Sequence, residues 1–329
     1  MAYRYVPLIR SKAGEATALA NLQPATKARV FPVVHLTSSV AESFVNRLVA
    51  GWAGHAIAID GLFNFSETGS AVDMVNVITD LRAGGVPALP SIEMAASTAY
   101  IAAALPLAAA YGAVVKVRLG DLPTLIAWCA ANGLPANQVD IILCAGHLPA
   151  FGAGVIDPVV VNALQTFPGA GTWRSVTVAS SAAPKDHTGL ALGPNVVPRL
   201  DWQLWQNVHA SAPFKVDYGD HGIGHPDMTE PPGVAMARAT VSARYTRDND
   251  WLVIKGRPTS GSTGQPMRVQ YQAHANTFRA DPGFGGLASC WGDTRVLHFA
   301  SPTNSSGSRT SWVELSTNRH IELVIDRLP

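Results

Sequence analysis

Short runs rich in Val and Ile alternate along the chain with longer segments that are apolar on one side at helical spacing. The runs are Tyr5–Arg10 (YVPLIR), Val30–Leu36 (VFPVVHL), His55–Asp60 (HAIAID), Val86–Glu93 (VPALPSIE), Val114–Leu119 (VVKVRL), Asp140–Cys144 (DIILC), Ser175–Ala179 (SVTVA) and Phe214–Tyr218 (FKVDY). Between them lie segments such as VAESFVNRLVAGW, AVDMVNVITDLRAGG and LPTLIAWCAANGL. Apolar residues recurring at three- and four-residue steps predict helices. The glycines closing RAGG and AANG fit left-handed helix caps. Regular strand–helix alternation implies a parallel sheet, and eight strands is the number that closes a barrel.

Within the strands, polar and apolar residues take opposite faces. Ile57 and Ile59 oppose Ala58 and Asp60; Val115 and Val117 oppose Lys116 and Arg118; Val216 and Tyr218 oppose Lys215 and Asp217. Successive strand side chains point to opposite sides, so the apolar set can meet a ring of helices while the polar set points inward. The central strands of a doubly wound open sheet would read as continuous apolar runs, and these do not. The expected fold is therefore α/β, a (β/α)₈ barrel of the TIM type over residues 1–225. After Asp220 the pattern changes. Ala239–Thr246, the tetrad RDND and Trp251–Arg257 read as a β-hairpin. Helices follow, the first from Met267 to about Arg279, and the type of Trp312–Asp326 is open. Residues 226–329 are thus expected to form an appendage, hairpin about 239–257 and then helices, packed on the barrel.

The length of 329 residues suits a barrel of roughly 250 residues with such an addition. Charged residues are only 14% of the chain, against roughly 25% in ordinary globular proteins. This fits either a surface partly covered by further copies or a partner, making a homo-oligomer one expectation, or simply a large, well-filled barrel. A net charge of +1 with no basic cluster argues against general nucleic-acid binding. Cys129, Cys144 and Cys290 are far apart and support neither a disulfide framework nor a structural zinc site. The start MAYRYVPLIR has no long apolar region of the signal-peptide kind, and the longest apolar stretch, Tyr100–Val115, is broken by Pro106 and Gly112. No membrane association is expected, and the cytoplasm is the expected compartment.

Barrel enzymes carry catalytic groups at the C-terminal ends of their strands. There this sequence has Arg10, Lys12 and Glu15, then His35, Asp60, Ser91 and Glu93, then Lys116 and Arg118. His147, Ser180, Ser181, Asp217, Asp220 and His221 complete the set. Asp60, Glu93, Asp217 and Asp220 suit a hard divalent cation or general acid–base work, and with His147 they are the candidate catalytic groups. Lys12, Glu15, Lys116, Arg118 and His221 are the candidate ligand-binding groups, the cations among them suited to a small anionic ligand. The alternative is that Lys116, Arg118, Lys215, Asp60 and Asp217 neutralise one another in a structural ion network, since buried charges need partners. Two Gly-rich segments, Gly219–Pro226 (GDHGIGHP) and Thr259–Pro266 (TSGSTGQP), could cradle an anion or be plain loops. Ser180–Ser181 lacks a GxSxG context.

Several motifs carry a family resemblance: the opening YVPLIRSKAGEATALANL, the hairpin SARYTRDNDWLVIKGRP, the WGD at Trp291–Asp293, and STNRHIELVI near the C-terminus. In these the chain resembles the beta protein family of phages and bacterial genomes. The resemblance implies a barrel-like fold and a phage- or defence-associated setting, and brings no catalytic assignment. It draws attention to Lys12, Glu15, Asp293 and His320. The family more often has two histidines where this chain has Arg319–His320. Two functions follow as expectations: a barrel-top site for a small anionic, phosphorylated ligand, with hydrolysis as the reaction, or a non-catalytic structural or interaction protein with a protein partner.

Overall fold

The computed structural model describes residues 3–37, 42–61, 71–150, 156–167, 170–227 and 240–329. In chain order its elements begin with β1 (Tyr5–Arg10), α1 (Ala13–Ala20), α2 (Pro24–Lys27), β2 (Val33–His35), α3 (Glu42–Trp52), β3 (Ile57–Asp60) and α4 (Ala71–Ala83). They continue with β4 (Ala88–Glu93), α5 (Thr98–Tyr111), β5 (Ala113–Arg118), α6 (Leu125–Ala131), β6 (Val139–His147), α7 (Ile156–Gln165), β7 (Ser175–Ser181), β8 (Gly193–Pro198), α8 (Leu200–Ser211) and β9 (Asp217–Asp220). The last are β10 (Ala243–Thr246), β11 (Asp250–Lys255), α9 (Met267–Ala280), α10 (Trp291–Ala300) and α11 (Arg309–Arg327).

Strands β1 to β7 and β9 close a barrel in that order, each pair parallel, with β9 returning to β1 through Tyr5 opposite Tyr218 and Pro7 opposite Asp220. The alternation read from sequence is the physical reason. Ile57, Ile59, Val115, Val117, Val216 and Tyr218 join the large core between the barrel wall and the helices. Val6, Leu8, Val33, Ala58, Leu89, Val114, Ile142 and Ala179 fill the barrel interior. Space there is tight enough to demand glycine at one closing position: a Cβ on Gly219 would lie 2.9 Å from side-chain carbons of Ala179 and Thr177. Gly85 and Gly133, at the ends of RAGG and AANG, have positive φ, as helix caps of that type require.

The region after β9 is not a separate tail. Helix α11 packs against α1, α2 and β1, and its Ile321, Val324 and Ile325 join the outer barrel core. It covers β1 and so takes the place of the eighth barrel helix, with β10, β11, α9 and α10 inserted between strand and helix. This helix, which lies in the expected appendage of residues 226–329, contacts β1, α1 and α2 on one side and α10 and β10 on the other. The inserted part shares a second core with α11, around Tyr245, Phe278, Phe299 and Trp312. The hairpin β10–β11 gains a third strand, β8, from the segment after β7. That strand, GPNVVP, carries two prolines, which sheets tolerate at an edge. The expected hairpin start, Ala239, lies outside the described residues.

Candidate functional site

Inward positions at the strand C-termini form a polar layer. Lys116 is wholly buried in β5 and pairs with Asp60 of β3. Ser91 of β4 donates to the same carboxylate at 3.4 Å. His35 of β2 sets Nδ1 3.4 Å from Asp60 Oδ2. Arg118 donates to Glu93 at 2.8 Å. Arg10 donates to Glu15 in the first turn of α1 at 3.0 Å, and Lys12 occupies the position just before that helix. His221, just past β9, stacks on His35 with ring centroids 6.2 Å apart. A bulge between Cys144 and Gly146 re-registers β6 so that His147 falls opposite Ser181 of β7, and the His147 ring lies 4.4 Å from that of His225. The top of the barrel thus assembles Glu15, His35, Asp60, Glu93, Lys116, Arg118, His147 and His221.

Burial governs the protonation of this layer. It pushes His35 down to about 4, Asp60 pulling the other way and Lys116 adding to the fall. Burial, then His35, hold His221 down to about 3, and burial with His225 lowers His147. These rings are neutral at pH 7. Burial raises Glu93 above the usual carboxylate range, against the pull of Lys116 and Arg118, and pushes the Cys144 thiol up to about 11. The layer also holds buried polar atoms with no hydrogen-bond partner among the described residues: Glu15 Oε2, His35 Nε2, His147 Nδ1, Ser181 Oγ and His221 Nδ1. Unsatisfied buried groups are rare in native proteins and call for an explanation.

Two expected members of the site are elsewhere. Asp217 begins β9 instead of ending a strand, so it sits at the N-terminal end of the barrel. There Arg4 donates to both its oxygens, from the backbone N–H and from Nε, at 3.0 Å, and Lys215 pairs with it. Asp220 faces outward on the wall between β9, β1 and α11. It accepts from Tyr5 (2.5 Å), Tyr218 (2.7 Å), the Gly222 N–H (2.7 Å) and His320 Nε2 (2.9 Å). Burial alone would raise this carboxyl; His320 and the tyrosine hydroxyl outweigh it and hold it well below the usual range. Burial lowers His320 in spite of Asp220; its Nε2 meets Asp220, while Nδ1 faces the Thr246 hydroxyl at 3.1 Å. The same Tyr218 hydroxyl also lies 2.7 Å from Asp201, so its one proton is shared between the two carboxylates, and it receives from Arg199 at 3.3 Å. This network, which joins wall, α8, α11 and β10, was not legible from sequence.

The carboxylates expected to share a cation are therefore split between top, bottom and wall. Among the described residues no group of three His, Cys, Asp or Glu side chains is placed to hold a metal ion. The Gly-rich turn after β9 spends its N–H groups locally, Gly222 on Asp220 and Gly224 on the His221 carbonyl. In TSGSTGQP, Gly264 and Gln265 likewise bond back to Gly261 and Pro258. Asp293 of the WGD motif accepts from Tyr245 at 2.9 Å and from Arg319 at 3.4 Å, inside the inserted region and away from the barrel top. Two grooves among the described residues also lie elsewhere, one between α3 and α4 lined by Asn46, Asp73 and Asp80, the other an apolar one beside α6.

No helix among the described residues is long and apolar enough to cross a membrane. No curated protein matches the chain. Triosephosphate isomerase from Bartonella henselae is similar over 67% of this chain and 93% of its own, at 14% identity and a TM-score of 0.36. The barrel itself is established by its closed strand order. A family model described as Beta protein matches residues 5–326, nearly the whole chain, and the protein belongs to that family.

Proposed function

We propose that the protein binds a small anionic ligand, phosphorylated or carboxylated, at the C-terminal mouth of its barrel and hydrolyses it by acid–base chemistry. The observation that carries this reading is a set of buried polar atoms at the strand C-termini, on Glu15, His35, His147, Ser181 and His221, that have no hydrogen-bond partner among the described residues. Asp60 beside Nδ1 of His35 favours the tautomer that leaves Nε2 with a lone pair, the arrangement of a general base oriented by a carboxylate. A ring that titrates near 4 is a weak base at pH 7, but an anion bound beside it would raise its pKa toward neutrality. Lys116, with Arg10 and Arg118, supplies positive charge for the ligand and for an oxyanion developing during reaction. The phage- or defence-associated setting rests on the family's character, and the cytoplasmic location on the sequence; both belong to this proposal.

A second reading, a non-catalytic interaction protein, is favoured by a different observation: Asp60 and Glu93 already have cationic partners. Thermal-shift titrations with inorganic phosphate, nucleotides and divalent cations separate the two. Saturable stabilisation by an anion, about 2.7 kcal/mol at a hundredfold excess over Kd, supports the ligand site. No stabilisation by any of them, together with a tight oligomer on sizing, supports the interaction protein.

A further inference from the structure

The hairpin of the inserted region sends one charged side chain back to the barrel mouth. Arg244 of β10 donates to the carbonyl of Ile223, just past β9, and to the carbonyl of Pro184, just past β7, at 3.0 Å. Its Nε and a terminal nitrogen face His187 Nε2 at 3.4 and 3.5 Å. His187 is kept neutral, pushed down to about 4 by burial and by Arg244 itself. All of these partners are uncharged, and no carboxylate among the described residues lies within ion-pair distance of the guanidinium. Burial first, and then the like charge of Arg10 at the end of β1, lower Arg244 to about 10. Arginine cannot shed its proton in this range, so the site holds a fixed positive charge between the tops of β7, β9 and β1.

A half-buried cation with no carboxylate partner among the described residues is costly unless something else compensates it. The contrast with the other arginines near the barrel mouth is clear: Arg10 has Glu15 and Arg118 has Glu93. The neutral carbonyls fix the guanidinium in place, and a preorganised charge of this kind acts on a ligand without reorganising. We propose that Arg244 is the residue that binds the oxyanion of the ligand at the barrel mouth, so that the inserted hairpin completes the site. This rests on the barrel-top ligand site proposed above and adds the inserted hairpin to it. It also accounts for β8, which leaves the barrel after β7 to pair with β11 and so ties the hairpin to the segment holding Pro184 and His187.

The test is titration calorimetry of the full-length protein with inorganic phosphate and, in parallel, citrate, for wild type, Arg244→Gln, Arg244→Lys and the paired substitution Lys116→Met with Asp60→Asn. Tenfold or weaker binding in Arg244→Gln, with a smaller loss in Arg244→Lys, is expected. Wild-type protein should also show Arg244 protected by the bound anion from a dicarbonyl reagent, read by peptide mass spectrometry; this does not depend on any variant folding. Binding within twofold of wild type in Arg244→Gln, or an Arg244 modified equally with and without the anion, overturns the proposal. If the paired substitution abolishes binding and Arg244→Gln does not, the barrel-top site stands and Arg244 falls. If wild type binds neither anion, both fall together.

Discussion

At the N-terminal end of the barrel, Asp140 and Asp217 have a donor on every carboxylate oxygen. Arg4 reaches both, Arg174 and Ser175 complete Asp140, and Lys215 completes Asp217. At the C-terminal end the same residue types face one another, yet Glu15, His35, His147, Ser181 and His221 each leave a buried polar atom without a hydrogen-bond partner among the described residues. Both ends therefore hold interior charge, and charge alone does not mark a functional site. Saturated pairs at the bottom hold the barrel closed; unsaturated groups at the top can still be completed by a ligand.

The sharpest way to break this contrast is at the bottom. Asp140→Ala strips Arg4 and Arg174 of a shared carboxylate and is expected to cost about 3–5 kcal/mol in urea unfolding with anion binding retained. A small loss would mean the lower network is dispensable. On the wall, His320→Leu removes one donor from the buried Asp220 carboxylate and should cost about 2 kcal/mol, measured the same way. If stability is unchanged, the joint between α11 and β9 carries no weight.

The top has a pH signature. His35 titrates near 6.5 in the unfolded chain and about 4 in the fold. Between those values the unfolded state binds the proton and the native state does not, so stability falls as pH drops from 6.5 toward 4. His35→Gln should therefore lose about 2 kcal/mol less than wild type between pH 7 and pH 4.5, by denaturant unfolding at the two pH values. Parallel slopes would place His35 in a wetter setting. At the surface, Asp248→Asn breaks a half-exposed pair with Arg327 and should change stability by under about 0.5 kcal/mol.

Much of the barrel was legible because its cause is local. Alternation in HAIAID and VVKVRL sets which residues face inward: Asp60 and Lys116 are buried inside the barrel, and Arg118 is exposed at the strand end. What alternation cannot fix is height. FKVDY has the composition of a strand, but pairing with β7 and β1 starts β9 at Asp217, which sends that carboxylate to the bottom and Asp220 to the outer wall. GPNVVP is not among the strand-like runs of the sequence, and its pairing with β11 makes it a strand. Arg244 and His320 were both in view, one in the hairpin and one in a family motif. Their roles depend on contacts with Ile223 and Asp220, which are 21 and 100 residues away and leave no periodic signal.

The division between the two ends is tested most directly by titrating inorganic phosphate, with citrate in parallel, into three proteins: wild type, Asp217→Asn, and Lys116→Met combined with Asp60→Asn. The paired change removes a buried cation and anion together and so avoids leaving one uncompensated. Saturable binding is expected in wild type and in the less stable Asp217→Asn protein, and none in the paired variant. Equal binding in all three, or binding lost only in Asp217→Asn, would contradict the assignment of structure to the bottom and ligand to the top.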